Sequence, residues 1–253
     1  MSPQNCQIPI EQHNAEIRAN RDAFSRKIIL EKIYTEFNAL IRDHLSDIDG
    51  EILELGSGIG LIKDTIPQCV CSDVFENPGI DRLENAYHLT CPDESVSNLI
   101  LIDVFHHLRY PGNALDEWKR VLRKGGRVIL FEPCMSLLGR VIYGCFHHEP
   151  IAIKDPVTWH AESPEDTNEI DYYAAQSNAY RIFLKQEHSE IEKEWEITKC
   201  ERYAFLSYVA SGGFSKPQLY PTSSYSLIRR IDRLLDRIPT LFATRMLIVL
   251  TPR

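Results

Sequence analysis

The apolar positions of this chain fall into two rhythms. Over residues 12–45, Phe24, Ile28, Ile29, Ile33, Tyr34, Phe37, Leu40, Ile41 and Leu45 recur at spacings of three, four and one. That spacing fits an amphipathic helix or two consecutive helices. Asp47 to Gly50 breaks the pattern. Short apolar runs then follow at 51–55 (EILEL), 69–75 (CVCSDVF), 98–104 (NLILIDV) and 127–132 (RVILFE), each reading as a strand. Runs without period-two alternation suit strands covered on both faces. A helical stretch is expected after the glycine-rich GSGIG to about Ile66. Another is expected over 113–123, stopped at Lys124-Gly125-Gly126. Strand and helix alternate, so the expected fold class is α/β, with a mostly parallel sheet and helices on both faces.

After Pro133 the rhythm changes. Residues 134–148 read as an apolar helix, and 153–171 as an acidic loop with six acids and one lysine. Residues 172–187 read as helical, and a strand is expected around Trp195 and Ile197. Ser211 to Pro217 is a turn, 223–238 an amphipathic helix, and Met246 to Leu250 a last strand. In the 223–238 helix, Leu227, Ile228, Ile231, Leu234, Leu235 and Ile238 form one face, with Arg229, Arg230, Arg233 and Arg237 beside it. A core-facing helix with a solvated rim is expected. Contact with a membrane surface is the less favoured reading of the same stripe. No internal repeat or low-complexity tract stands out.

Composition narrows the class. A chain of 253 residues can bury one sizeable core. Its 43% apolar and 25% charged residues are those of an ordinary globular protein. The net charge of −8 disfavours nonspecific nucleic-acid binding. No apolar run reaches the roughly 18 residues of a membrane span, and the N-terminus lacks the features of a signal peptide. The seven cysteines are scattered, without a CxxC pair. A cytoplasmic, reduced protein is expected, with no metal site, since Cys69-Val70-Cys71 is the only close pair.

The informative segment is Glu54-Leu55-Gly56-Ser57-Gly58-Ile59-Gly60, a strand running into three alternate glycines. Glycine lets the chain turn sharply and lets a ligand approach the backbone. A dinucleotide fingerprint needs glycine at 61, where Leu61 stands, and no GK[ST] phosphate loop is present. Both a nicotinamide cofactor and a nucleoside triphosphate are therefore disfavoured. An acid two residues before the first glycine would repel a pyrophosphate and attract an ammonium group. S-adenosylmethionine, with an amino acid end and no phosphate, suits the pattern. Asp73, 17 residues after Gly56, ends the second strand, where an acid can accept from ribose hydroxyls.

These residues resemble the class I S-adenosylmethionine-dependent methyltransferases, nearest in pattern to the small-molecule type 11 group. The resemblance covers roughly residues 50–133. ILELGSGIG resembles the first motif and CSDV the end of the second strand. LIDVFHHL resembles the fourth-strand motif, and WKRVLRKGGRVILFEP the helix, glycine turn and fifth strand. It implies a Rossmann-like, seven-stranded, mostly parallel sheet with an antiparallel terminal strand. Gly56, Ser57, Gly58 and Gly60 would line the amino acid end of the cofactor, with Glu54 facing or ordering it. Asp73 and Val74 would meet the ribose, and Asn85 and Ala86 the adenine. Asp103, Val104 and Phe105 would lie beside the cofactor. The chain departs from the family where Asn85 replaces the usual Asp and where Thr90-Cys91 replaces Pro-Phe. Residues 1–253 are expected to form one domain. In it, 12–45 is a lid, 50–133 the cofactor core, 134–190 an insert forming the acceptor pocket, and 191–253 the closing strands and helix.

Methyl transfer from a sulfonium needs alignment, exclusion of water and, for a hydroxyl acceptor, a base. His106, His107, His148 and Glu132 are the candidate catalytic groups, placed where strand ends carry the ligand face. Tyr172, Tyr173 and Tyr180 are candidate aromatic walls. Arg18, Arg21 and Lys27 are candidates to meet the cofactor carboxylate. The expected activity is methyl transfer to an oxygen or nitrogen of a small molecule. A saccharide or lipid-linked acceptor at a membrane surface is the alternative. A non-catalytic cofactor-binding regulator is the reading from another class.

Overall fold

The computed structural model describes residues 10–168, 173–188 and 191–253. Its centre is a seven-stranded sheet in the order β3-β2-β1-β4-β5-β7-β6. The strands are β1 (Glu51–Leu55), β2 (Val70–Asp73), β3 (Arg82–Leu83), β4 (Val96–Ile102), β5 (Leu122–Pro133), β6 (Trp195–Tyr203) and β7 (Arg245–Pro252). β1 to β5 pair in parallel, and β7 runs antiparallel to both β5 and β6. This is the expected mostly parallel sheet with an antiparallel strand near its end.

Alternation along the central strands divides the core between two faces. Leu99, Leu101, Val128, Leu130, Met246 and Ile248 join one cluster with Phe105 and Trp118. Ile100, Ile129, Phe131, Leu247 and Val249 join the other with Phe37 and Phe205. The first face is covered by α3 (Pro111–Val121), whose N1 proline needs no N–H partner. The second is covered by α2 (Ile28–Arg42), whose Ile29, Leu30, Ile33, Phe37 and Ile41 are fully buried. α1 (Ile10–Arg26) precedes it, broken from it at Lys27. The chain is completed by α4 (Leu137–Cys145), α5 (Ile191–Glu194), α6 (Leu206–Ser211), α7 (Tyr225–Leu235) and α8 (Pro239–Phe242).

Three expectations need correction. The helix after the glycine loop is only a single 3₁₀ turn, Leu61–Asp64. Pro67 and the short span to β2 leave it no room, and α2 covers that part of the sheet instead, with Ile62 and Ile66 in its cluster. Residues 173–177 are not helical either. The Ala175, Gln176 and Ser177 N–H groups donate to the carbonyls of His106, Pro150 and Ile151, and the chain winds only over residues 178–184, ending in the π turn Tyr180–Leu184. The third concerns α7, whose apolar stripe does not face the core: Leu227, Ile231 and Leu234 are exposed, and Asp232 is the helix's one buried residue.

The carboxylate of Asp232 docks α7. It accepts from Leu206 N (2.8 Å), Ser207 N (3.3 Å) and Ser207 Oγ (2.6 Å), capping α6, and pairs with Arg229 at 2.8 Å. Breaking a buried pair by removing one partner costs about 3–5 kcal/mol. Urea unfolding should show a loss of that order for Asp232→Ala. Leu234→Ser, at an exposed position, should stay within about 0.5 kcal/mol of the parent.

Candidate active site at the ends of the central strands

The glycine loop leaves β1 and turns back under α1. Gly56, Gly58 and Gly60 have φ of 67°, 54° and 74°, the left-handed region that glycine enters without strain. A Cβ on Gly56 would lie 2.4 Å from Val104 Cγ2, and one on Gly60 2.4 Å from the Gly79 carbonyl oxygen. At Gly58 it would meet only Ile17 of α1, at 3.8 Å. Two of the glycines thus allow internal close packing, while Gly58 presents bare backbone beneath the N-terminal helix.

Side chains stitch this loop to β2. Asp73 Oδ2 accepts from Gly58 N at 3.2 Å, and its Oδ1 accepts from the half-buried Val74's N–H at 2.8 Å. Ser57 Oγ accepts from Ser72 N at 3.1 Å. Glu54 is buried beneath the loop, where burial first, and then the Cys71 thiol, push its carboxyl up to about 8. It therefore orders the loop from below and does not present a fixed negative charge to an ammonium group. Asn77 lies on the other side. Its Oδ1 accepts from Gly79 N at 2.7 Å, and its buried Nδ2 has no protein partner. The glycine cradle, the Asp73 carboxylate and the orphaned Asn77 donor fit a nucleoside carrying hydroxyls and an amino acid end. Asn85 makes a local turn, its Oδ1 accepting from Tyr87 N and its Nδ2 donating to Thr167 O. Ala86 accepts from the Trp118 indole through its carbonyl. The insert thereby touches the expected adenine edge.

Past β4 the chain enters a second polar site. Asp103 has φ of 57° and pairs with Arg245 of β7. The Arg245 guanidinium is buried against the rings of Phe37, Phe131 and Tyr208. Val104 packs on Gly56. The Phe105 ring points away from the loop, into the core between Trp118 and Phe183, so only its backbone stays on the ligand face.

Glu132, expected to face the acceptor, is instead fully buried. Its Oε1 accepts from Val104 N (2.9 Å) and Phe105 N (2.7 Å), and its Oε2 lies 2.6 Å from His106 Nδ1. It is a positioning residue. His106 is held between two carboxylates, with Nε2 3.4 Å from Glu149 Oε2. Burial alone would lower its pKa, but Glu132 and then Glu149 outweigh it and push it up to about 10. As an imidazolium at neutral pH, His106 cannot accept a proton.

His107 has the opposite character. Its Nδ1 lies 2.8 Å from the Tyr173 carbonyl oxygen, which can only accept, so Nδ1 carries the proton and Nε2 the lone pair. Nε2 lies 3.5 Å from Glu149 Oε1, and the ring is partly exposed. Burial, and then the neighbouring His106 charge, hold its pKa below the ordinary value. His148 does not join the site: its ring is 82% exposed and 3.9 Å from Glu149. His147 comes closer, 3.7 Å from Glu149 Oε2.

Glu149 and Gln176 are the residues that sequence reasoning underweighted. Glu149 collects His106, His107 and His147 on one carboxylate, and Gln176 Nε2 donates to it. Adjacent histidines alone make a poor chelate, but Glu149 adds a distant donor. His106, His107 and Glu149 each bring one ligand-type atom within 4.8 Å of the others, but His106 as an imidazolium has no lone pair to give a cation. Tyr173 and Tyr180 are buried, Tyr173 serving the site through its carbonyl. Tyr172 lies outside the described residues. Lys27 is spoken for: its ammonium donates to the carbonyls of Gly213 (2.6 Å) and Lys216 (2.5 Å), while Arg18 and Arg21 are exposed. Two surface cavities of about 90 and 350 Å³ lie at Gly112–Trp159 and Asp49–Arg123, away from both the loop and the histidines.

Two measurements check this geometry. In calorimetry S-adenosylhomocysteine should bind and NAD should not. Asp73→Ala should weaken binding roughly ten- to a hundredfold, and Gly58→Val should abolish it. Heat with NAD and none with the sulfur nucleoside would sink the assignment. By NMR, His106 should remain an imidazolium at pH 8 and lose that charge in Glu132→Gln. Because its folded pKa is raised, its contribution to stability is complete below about 6.5 and is lost as pH rises through about 10.

Comparison with known proteins bears on the fold. Residues 53–130 match the family described as "Methyltransferase domain". The fold is similar to that of a Thermotoga maritima S-adenosylmethionine-dependent methyltransferase, described as a "possible histamine N-methyltransferase". The TM-score is 0.52 at 14% identity, covering 94% of this chain and 98% of that one. It is also similar to a chain from the complex between the Haloferax volcanii Trm112 methyltransferase activator and a methyltransferase. There the TM-score is 0.51 at 15% identity, covering 97% and 98%. A search of curated protein sequences finds no significant match. With its glycine cradle on β1, its acid on β2 and its 3-2-1-4-5-7-6 sheet, the chain has the fold of these S-adenosylmethionine-dependent methyltransferases, and its residues 53–130 match the methyltransferase-domain family.

Proposed function

We propose that the protein transfers the methyl group of S-adenosylmethionine to an oxygen or nitrogen of a small-molecule acceptor, with His107 taking the acceptor's proton. The observation that carries this reading is the state of His107. It combines a fixed tautomer, a lowered pKa and partial exposure in a ring 3.5 Å from Glu149 and packed on His106 at the end of β4.

The cofactor supplies the electrophile, a methyl group on a sulfonium. Gly58 and Asp73 would hold its amino acid end and ribose, and Asn77 supplies the orphaned donor beside them. The protein's own task is then alignment and proton removal. Tyr173 fixes the His107 ring through Nδ1, so Nε2 carries the lone pair, on the side of Glu149. When Nε2 takes a proton, the new imidazolium lies 3.5 Å from Glu149 Oε1, which compensates its charge. His106 offsets that carboxylate beforehand and keeps His107 neutral until the acceptor proton arrives. Such a base suits a hydroxyl acceptor, whose proton has to leave. An amine with a free lone pair would use the same site for alignment and shed its proton afterwards.

The test uses labelled S-adenosylmethionine with a metabolite extract, then kinetics on the acceptor found. His107→Gln should lower kcat roughly 10²–10⁴-fold with cofactor affinity unchanged. His148→Ala should leave kcat unaltered. Because the His107 pKa is lowered, kcat should be flat from neutral pH upward and fall only in acid. Dialysis against a chelator should not change the rate. Wild-type kcat in both His107→Gln and Glu149→Gln would refute the proton-transfer role. Cofactor binding without label transfer to any extract component would favour a regulatory protein.

A further inference from the structure

We propose that α4, α7 and α8 form a docking surface for an anionic lipid bilayer, on which the protein rests peripherally.

The first observation is the orientation of α7. At about 100° per residue, Leu227, Ile231 and Leu234 lie roughly 130–170° from the side held by Arg229 and Asp232. The apolar stripe therefore points directly away from the body of the protein. α4 repeats the arrangement: Gly139 and Tyr143 face inward, and Leu137 and Val141 face outward. The structure joins these helices. α8 follows α7 after three residues, α4 packs on α8, and Ser136 Oγ at the start of α4 donates to Leu241 O at 3.2 Å. With Ile238 and Leu241 between them, these aliphatic side chains are 42–64% exposed. Isolated exposed leucines are ordinary, but a run shared by three helices joined by the chain and by the α4–α8 contact marks an interaction site.

The second observation is charge, and it selects the partner. The whole chain carries −8. Along the outer edge of the α7 stripe, however, the exposed charges are Arg230, Arg233 and Arg237, and α4 adds exposed Arg140. The acids of the same segment are engaged inward: Asp232 caps α6 and Asp236 accepts from Ala204 N at 2.7 Å. Aliphatic side chains flanked by arginines, on a helix of large amphipathicity and low overall hydrophobicity, describe an interfacial helix. Its arginines can reach lipid phosphates while the aliphatic stems lie among acyl chains. A second copy of the chain fits less well, because a two-fold contact would set like arginines against each other. A protein interface core would also be richer in aromatic residues than this leucine and isoleucine surface.

The location connects to the site. α4 runs from four residues after Pro133 to four before Glu149, so it links the strand end bearing Glu132 to the carboxylate that gathers the histidines. A bilayer against α4 would sit beside the ligand face and could present an amphiphilic acceptor to it. The docking surface itself does not depend on the methyl-transfer reading.

Vesicle co-sedimentation of the full chain tests the proposal. It compares phosphatidylcholine vesicles with vesicles containing about a quarter phosphatidylglycerol. The protein should pellet with the anionic vesicles and do so less at high salt. Replacing Arg230, Arg233 and Arg237 by alanine should lower partitioning on the order of a hundredfold. Ile231→Glu with Leu234→Glu should lower it by at least tenfold. Calorimetry with S-adenosylhomocysteine should be unchanged in both variants, showing that the fold is intact. Two results would overturn the proposal. One is no partitioning of the parent protein at either composition. The other is a dimer, seen by light scattering, that the Ile231→Glu, Leu234→Glu variant splits, which would make the surface a contact between copies.

Discussion

The buried carboxylate of Glu132 is the contact on which the site depends. A carboxylate taken fully out of water is costly unless every acceptor position is matched. Here it gathers two backbone N–H groups from the turn after β4 and a ring nitrogen from the same turn. Those three bonds tie the C-terminal end of β4 to that of β5. They also dictate the conformation of residues 103–107, beginning with a left-handed Asp103. Val104 then presses on Gly56, Phe105 enters the core, and the two histidines are presented side by side, 4.2 Å between ring centroids. The cofactor loop and the histidine cluster are therefore set by one buried charge.

That charge also separates two chemically identical side chains. His106 and His107 are adjacent in sequence and come from one turn. One ring donates to a carboxylate and carries a charge; the other donates to a carbonyl and stays neutral. Pushing apart the proton affinities of two neighbouring groups is how a site obtains both a fixed cation and a usable base at one pH. Glu149 lies between them and balances whichever ring is charged. The arrangement exists only because the insert returns to the sheet, with Tyr173, Ala175 and Gln176 bonded to the histidines and to the segment carrying Glu149.

The two ends of the chain close the sheet in different ways. α2 covers its face with an apolar stripe, Asn38 apart, as amphipathic periodicity leads one to expect. α7 shows the same kind of stripe in sequence and does the reverse, docking through Asp232 and leaving its leucines outside. Helical periodicity identifies a face, but not what that face meets. A buried acid with four partners holds α7 as firmly as an apolar contact could, and frees its apolar side for another surface.

Strand positions, the glycine loop, the order of elements and the likeness to a methyltransferase domain were legible in the sequence because each rests on local chemistry. Short apolar runs make covered strands, alternate glycines make a tight turn, and an acid at a strand end is visible as such. Sequence also brought out His106, His107 and Glu132 as polar residues at strand ends. It could not rank them, since rank depends on what lies within four ångströms, and those neighbours are remote in the chain. Glu149 is 42 residues from His107 and Tyr173 is 66 away. Gln176 carried no motif at all. Asn77 belongs to no motif, and it is Gly79 and the glycine turn that enclose it. Local spacing determined which segments could bind a nucleoside. Only the tertiary structure decided which side chain is buried, which is charged and which faces outward, because desolvation and pairing are properties of the folded surroundings and not of the residue.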